Sequence, residues 1–131
     1  MRQITELIIH CSATPEGKDF STADIDRWHR QKGFQMVGYH FVIRLNGNIE
    51  LGRPIEMIGA HCVGHNRNSI GICYIGGLDK NGKPKDTRTE KQRKSMNDLI
   101  NQLLSEYPRA TLHVHNEYAN KACPCFRIEE L

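Results

Sequence analysis

A chain of 131 residues has the length of one domain, and a domain that size buries roughly two-thirds of the surface its unfolded form exposes, so it needs no disulfide framework to stand. Its 38% hydrophobic and 25% charged residues exclude wholesale disorder, and no apolar run approaches the roughly 20 residues of a membrane helix. The formal charge of +3 is spread thinly: the basic stretches Lys80–Lys85 and Lys91–Lys94 are broken by Asn81, Gly82 and Gln92, the pattern of a solvated surface and not of a nucleic-acid stripe.

Taken in chain order, the N-terminal residues offer only Leu7-Ile8-Ile9 as an apolar core, with no small-residue cleavage site. No signal peptide is predicted, and the protein is expected in the cytoplasm as made. Thr5–Cys11 reads as a first strand, ending in polar Ser12-Ala13-Thr14-Pro15. A helix follows, capped by Ser21 or Thr22 with Asp24 completing a capping box and Gly33 closing it. Ile25, Trp28 and His29 fall on one face of that helix, where Trp28 is expected to fill core.

Tyr39–Leu45 and Asn48–Leu51 read as a hairpin around the Asn46-Gly47 turn. Gly52–Asn68 shows little periodicity and is long enough to line a site. Ser69–Ile75 is nearly continuous in apolar character, which predicts a central strand. Asp79–Arg88 is polar and is expected to be a mobile loop. Thr89 opens the clearest helix, with Gln92 as its capping-box partner and a stripe of Met96, Leu99, Ile100, Leu103, Leu104 and Tyr107; Pro108 stops it. Thr111–Val114 is a last strand, and Asn116–Leu131 an irregular tail. Strands interleaved with two helices predict an α/β (α+β) domain around a central mixed sheet.

Five cysteines, Cys11, Cys62, Cys73, Cys123 and Cys125, are expected to be reduced in a chain without a secretion signal. With seven histidines beside them, zinc becomes the question. His10 stands at the end of the first strand, His115 just after the last, and Cys123 eight residues on. Two imidazoles and a thiolate would hold zinc with the fourth position open, as catalytic sites do. On the residues alone the alternative stays open, with hydrogen-bonded strand-end histidines and an inert thiol.

Several segments decide between these readings. They are Ile8-Ile9-His10-Cys11-Ser12-Ala13-Thr14, Ile25-Asp26-Arg27-Trp28-His29, Gly38-Tyr39-His40-Phe41-Val42-Ile43, Gly59-Ala60-His61, Asn66-Arg67-Asn68-Ser69-Ile70-Gly71-Ile72-Cys73, His115-Asn116-Glu117 and Lys121-Ala122-Cys123-Pro124. In this order, over nearly the whole chain, the sequence resembles the zinc-dependent N-acetylmuramoyl-L-alanine amidases of phage-lysozyme type, related to peptidoglycan-recognition proteins. The resemblance implies that residues 1–131 form one amidase catalytic domain that cuts the amide between N-acetylmuramic acid and L-alanine of peptidoglycan.

It further implies that His10, His115 and Cys123 hold Zn2+ and that Tyr39 and Lys121 are the catalytic groups. His61 matches a position lining the substrate groove, and Arg67 and Asn68 are expected to bind the stem peptide. Glu117 and His113 are expected to sit behind the ligands and orient them. His40 points to the face opposite Tyr39 and is not expected to ligate, Cys11 and Cys73 are expected to pack in the sheet, and Cys125 departs from the family pattern. The implied setting is a phage or prophage endolysin, or a bacterial relative encoded alone, that acts as a monomer on a muramyl peptide and reaches the wall after release by another protein. No nucleic-acid partner and no membrane insertion are expected. The competing functions are a muropeptide-binding module without catalysis, which the intact ligand set disfavours, and a regulator binding a phage RNA polymerase, for which the short stretch before the first strand leaves little extension.

Overall fold

The computed structural model describes residues 2–131. Its strands are β1 (Glu6–Cys11), β2 (Thr14–Pro15), β3 (Phe41–Ile43), β4 (Ile49–Leu51), β5 (Ser69–Tyr74), β6 (Gly77–Leu78) and β7 (Thr111–Val114), with helices α1 (Thr22–Gln31) and α2 (Glu90–Glu106). Five strands form one sheet in the order β4-β3-β5-β1-β7, while β2 and β6 form a small parallel pair. β3, β5, β1 and β7 run parallel and β4 returns antiparallel at one edge, the mixed sheet that the sequence predicts. Every residue of β5 is buried, as its continuous apolar run requires of a strand covered on both faces.

Alternation along β1 sorts its side chains between the two faces. Leu7, Ile9 and Cys11 join Met96, Leu99, Ile100 and Leu103 of α2 in the larger core. Ile8 and His10 therefore point to the opposite face, where Ile25 of α1 packs with Val37, Val42 and Ile75. The apolar stripe of α2 contributes about 1.5–3 kcal/mol per fully buried side chain, so the α2 face supplies the support and the α1 face carries the polar residue.

Both helices start where the sequence predicts. Ser21 and Asp24 form a reciprocal capping box on α1, and Thr89 and Gln92 one on α2. Gln92 does more than cap: its side chain is fully buried, and its amide donates to the Ile43 and Ile75 carbonyls at 3.2 and 3.0 Å. Helix start and sheet are thus joined through one polar side chain. Trp28 packs on the α1 cluster, edge-to-face with Phe20 at a centroid distance of 5.0 Å.

Two expectations need correction. The strand read at Tyr39–Leu45 is confined to Phe41–Ile43, because the backbone at Tyr39 and His40 is engaged irregularly by Arg53 and Gly52. The Asp79–Arg88 segment is not a loose loop. The Asp79 carboxylate accepts from the Asn81 and Lys83 amides at 2.8 and 2.9 Å. Arg88 is buried, pairs with Asp86 at 2.9 Å and stacks over the Phe126 ring at 3.7 Å. A cation satisfied by a carboxylate and an aromatic face can be buried, and here it pins the C-terminal tail.

Candidate active site

The parallel pairing of β1 with β7 sets Ile9 beside Val114, so His10 and His115, each one residue further on, arrive side by side. Their Nδ1 atoms are 3.1 Å apart. Cys123 comes from the tail, whose position is fixed by neighbours: the Tyr74 hydroxyl donates to the Pro124 carbonyl at 2.7 Å, and Phe126 is buried in the α2 core. Its Sγ lies 3.9 Å from His10 Nδ1 and accepts the Cys11 amide at 3.2 Å.

The three donor atoms all fall within 4.8 Å of one another. Tetrahedral zinc with ordinary bond lengths would space two nitrogens about 3.3 Å apart and a nitrogen and a sulfur about 3.6 Å apart, so the His10–His115 and His10–Cys123 separations of 3.1 and 3.9 Å are close to those of a zinc site. Burial, reinforced by the neighbouring His61, His115 and Lys121, holds His10 well below the usual histidine range. Burial and then Lys121 lower His115. Both rings are therefore neutral at pH 7 and free to ligate.

Above the donors runs a groove made of two adjoining cavities of about 250 and 290 Å³, which share His29, Lys32, Tyr39, His115 and Lys121. Tyr39 stands over His10 with ring centroids 5.1 Å apart. Burial first, and then the nearby thiols of Cys73, Cys123 and Cys11, push its phenol up, so it stays protonated. His61 is buried, lines the groove and also reaches the donor cluster, with Nδ1 2.8 Å from His10 Nε2; burial is the main cause that pushes it down to about 3.

Four other residues from the sequence reading are not brought to this cluster. Arg67 and Asn68 are exposed and precede β5 at the level where Ser69 pairs with Glu6, whereas His10 pairs with Cys73. Four residues of strand, about 13 Å, separate the two levels. The Asn68 amide instead donates to the Gln3 carbonyl at 2.8 Å. Glu117 accepts the Val114 amide at 2.6 Å and faces His113 at 3.1 Å, because β7 ends at Val114 and the chain turns away in a short 3-10 helix, His115–Glu117. Those two residues join Glu6, His65 and Tyr118 in a separate polar cluster.

His40 accepts from the Gly71 amide at 3.0 Å, Cys11 and Cys73 are buried, and Cys125 faces Cys11 at 3.9 Å and the Gly77 carbonyl. Asn66, not among the expected site residues, belongs to the site. It lines the groove, and its Oδ1 accepts the His61 and Cys62 amides, each at 2.9 Å. Its place in the quoted Asn66-Arg67-Asn68 run was the available signal.

The N-acetylmuramoyl-L-alanine amidase family matches residues 1–126. The chain belongs to that family. It is 41% identical over 129 residues to the endolysin of Escherichia phage T7, covering 98% of this chain and 85% of that one. It is 37% identical over 128 residues to the endolysin of Klebsiella phage KP32, with the same coverage. Among solved structures it resembles the N-acetylmuramoyl-L-alanine amidase LysC from Clostridium intestinale, with a TM-score of 0.84 at 28% identity over 98% of this chain and 83% of that one. It also resembles Drosophila PGRP-LB, with a TM-score of 0.80 at 25% identity over 95% and 76%. As a member of the family the chain is an N-acetylmuramoyl-L-alanine amidase: a hydrolase of the amide between N-acetylmuramic acid and L-alanine in peptidoglycan.

Proposed function

We propose that the chain performs this hydrolysis with one zinc ion held by His10 Nδ1, His115 Nδ1 and Cys123 Sγ. The observation that carries this reading is the meeting of the three donors beneath a groove that Tyr39 and Lys121 also line. Two neutral imidazoles and a thiolate suit zinc by donor type and leave a fourth tetrahedral position open. Bound there, zinc supplies a Lewis acid and a water that ionises near neutral pH.

The chain's own groups do the rest. The groove takes the muramyl peptide so that the lactyl carbonyl lies against the donor cluster. Lys121, exposed at the groove, places an ammonium where it stabilises negative charge growing on the carbonyl oxygen. Tyr39, protonated at rest and lining the groove over His10, would pass its hydroxyl proton to the leaving amine of L-alanine and take in its place the proton that the attacking water gives up, so that the phenol ends as it began. Asn66 holds the turn that forms the groove's far wall. All of these side chains come from one chain, so a monomer is complete.

In its biological setting the protein acts as a phage or prophage endolysin, reaching the cell wall through a membrane lesion made by another protein. Among the described residues no helix is long and apolar enough to cross a membrane. The test is digestion of purified peptidoglycan followed by mass spectrometry of the products, before and after chelation and after zinc is restored. The reading requires free L-alanine amino termini that vanish on chelation and return with zinc. Release that is indifferent to chelator would defeat it.

A further inference from the structure

His61 lines the groove, yet both of its ring nitrogens are engaged within the protein, one of them by the ligand cluster. Its Nδ1 lies 2.8 Å from His10 Nε2, and its own Nε2 lies 3.1 Å from the Ser69 hydroxyl. The His10 and His61 rings meet edge-on, at 88° with centroids 4.8 Å apart. All three residues are buried. Two glycines make the room: a Cβ on Gly71 would come within 2.7 Å of the His61 ring, and one on Gly59 within 2.8 Å. Gly71 lies on β5 opposite Ile8, on the same sheet face as His10, so a bare strand position leaves the slot that the His61 ring fills. Asn66, by accepting the His61 amide, fixes the backbone that delivers the ring.

The proton count along this row admits one arrangement. With its Nδ1 lone pair directed at a metal, neutral His10 carries its only ring proton on Nε2. That proton is donated to His61 Nδ1, which must then be a bare acceptor. His61 carries its own proton on Nε2 and donates it to Ser69 Oγ. A ligand histidine usually gives its second N–H to a carboxylate, a carbonyl or water, and here a neutral imidazole takes that place. A neutral acceptor orients the ring without adding negative charge, so His10 donates less electron density than it would beside a carboxylate.

We propose that His61 is a positioning residue for the ligand His10: with Ser69 behind it, it sets which ring nitrogen of His10 faces the metal and holds the ring there, and this is its principal role in place of a contact to the stem peptide. This inference rests on the metal reading above. A peptide contact would act on KM and leave the metal untouched. A positioning contact acts on the metal whether or not substrate is present.

The experiment measures zinc affinity by competition with a chromophoric chelator, the visible spectrum of the cobalt-substituted protein, and thermal melting of the metal-free protein. The proteins are wild type, His61→Phe, His61→Gln and Ser69→Ala. His61→Phe fills the slot without an acceptor and is expected to weaken zinc about 10–100-fold, the usual effect of losing such a partner, and to alter the cobalt spectrum. His61→Gln returns an acceptor and is expected to recover much of the affinity, whereas Ser69→Ala shows a smaller loss in the same direction. Should His61→Phe fail to fold without metal, His61→Gln and Ser69→Ala decide. Wild-type zinc affinity and cobalt spectra in every variant that folds, with only KM raised, would overturn the proposal. A wild-type protein that binds no zinc would instead overturn the metal reading and this inference with it.

Discussion

His10 Nδ1 lies 3.1 Å from His115 Nδ1 although the two residues are 105 positions apart in the chain. The approach is a consequence of sheet register, since Ile9 and Val114 are partners and each histidine is the next residue along its chain. The tail then adds the Cys123 thiol as a third donor. A site assembled this way is as rigid as the sheet beneath it, which is what precise ligand placement requires.

The two groove residues next to the donors separate metal binding from catalysis. Lys121→Met is expected to lower kcat by about 10²–10³-fold, the scale for losing one oxyanion-stabilising group, with zinc content unchanged. Tyr39→Phe removes only the hydroxyl and is expected to lower kcat by about 10²–10⁴-fold, again without zinc loss. Steady-state kinetics on soluble muropeptide with parallel metal analysis checks both. Zinc loss in either variant would mean that the residue supports the ligands instead of acting on the amide.

Gln92 joins the start of α2 to two strand-end carbonyls. Gln92→Ala strips one half of the capping box and leaves the Ile75 carbonyl without the Gln92 donor, while the Ile43 carbonyl keeps the Ile75 amide at 3.0 Å. The cost is expected to be about 2–3 kcal/mol, a weakened cap plus one unsatisfied buried acceptor. Urea unfolding measures it, and a loss under 1 kcal/mol would show that water replaces the amide at little cost.

Metal-free protein should weaken in mild acid. His10, His61, His40 and His115 all have lowered pKa values in the fold, chiefly through burial, and His40 and His61 stand at about 4 and about 3. Below the unfolded-state value of about 6.5 the unfolded chain binds protons that the folded one does not, so stability falls as pH falls. Each such histidine costs up to about 1.4 kcal/mol per pH unit until its folded pKa is reached. Urea midpoints of chelator-treated protein should drop steadily from pH 7 to pH 5. A flat profile would contradict the buried neutral histidines.

What the sequence made legible was local or carried by motif. The Ser21–Asp24 and Thr89–Gln92 caps, the α2 stripe and the buried run of β5 each declare themselves within a few residues. The ligand set was legible only through the resemblance, because nothing local announces that residues near the two ends of the chain meet. The misplacements gather at strand ends, where level and chain direction are set by pairing and not by local sequence. β7 stops at Val114, so Glu117 turns away from the metal and meets His113, which lies within β7 opposite Ile8, two residues short of the level of His10. The groove closes at Asn66, three residues before β5 begins to pair at Ser69, so Asn68 lies at the wrong level. The order of the Asp79–Arg88 segment is not legible locally, because Arg88 is held by Phe126, which belongs to the tail.

The most direct measurement is zinc content by elemental analysis of the purified protein and of Cys123→Ala, with amidase activity followed in parallel. The account predicts one zinc per wild-type chain, and loss of both metal and activity in Cys123→Ala. An active wild-type protein without metal, or a Cys123→Ala protein that keeps its zinc, would contradict the ligand set of His10, His115 and Cys123.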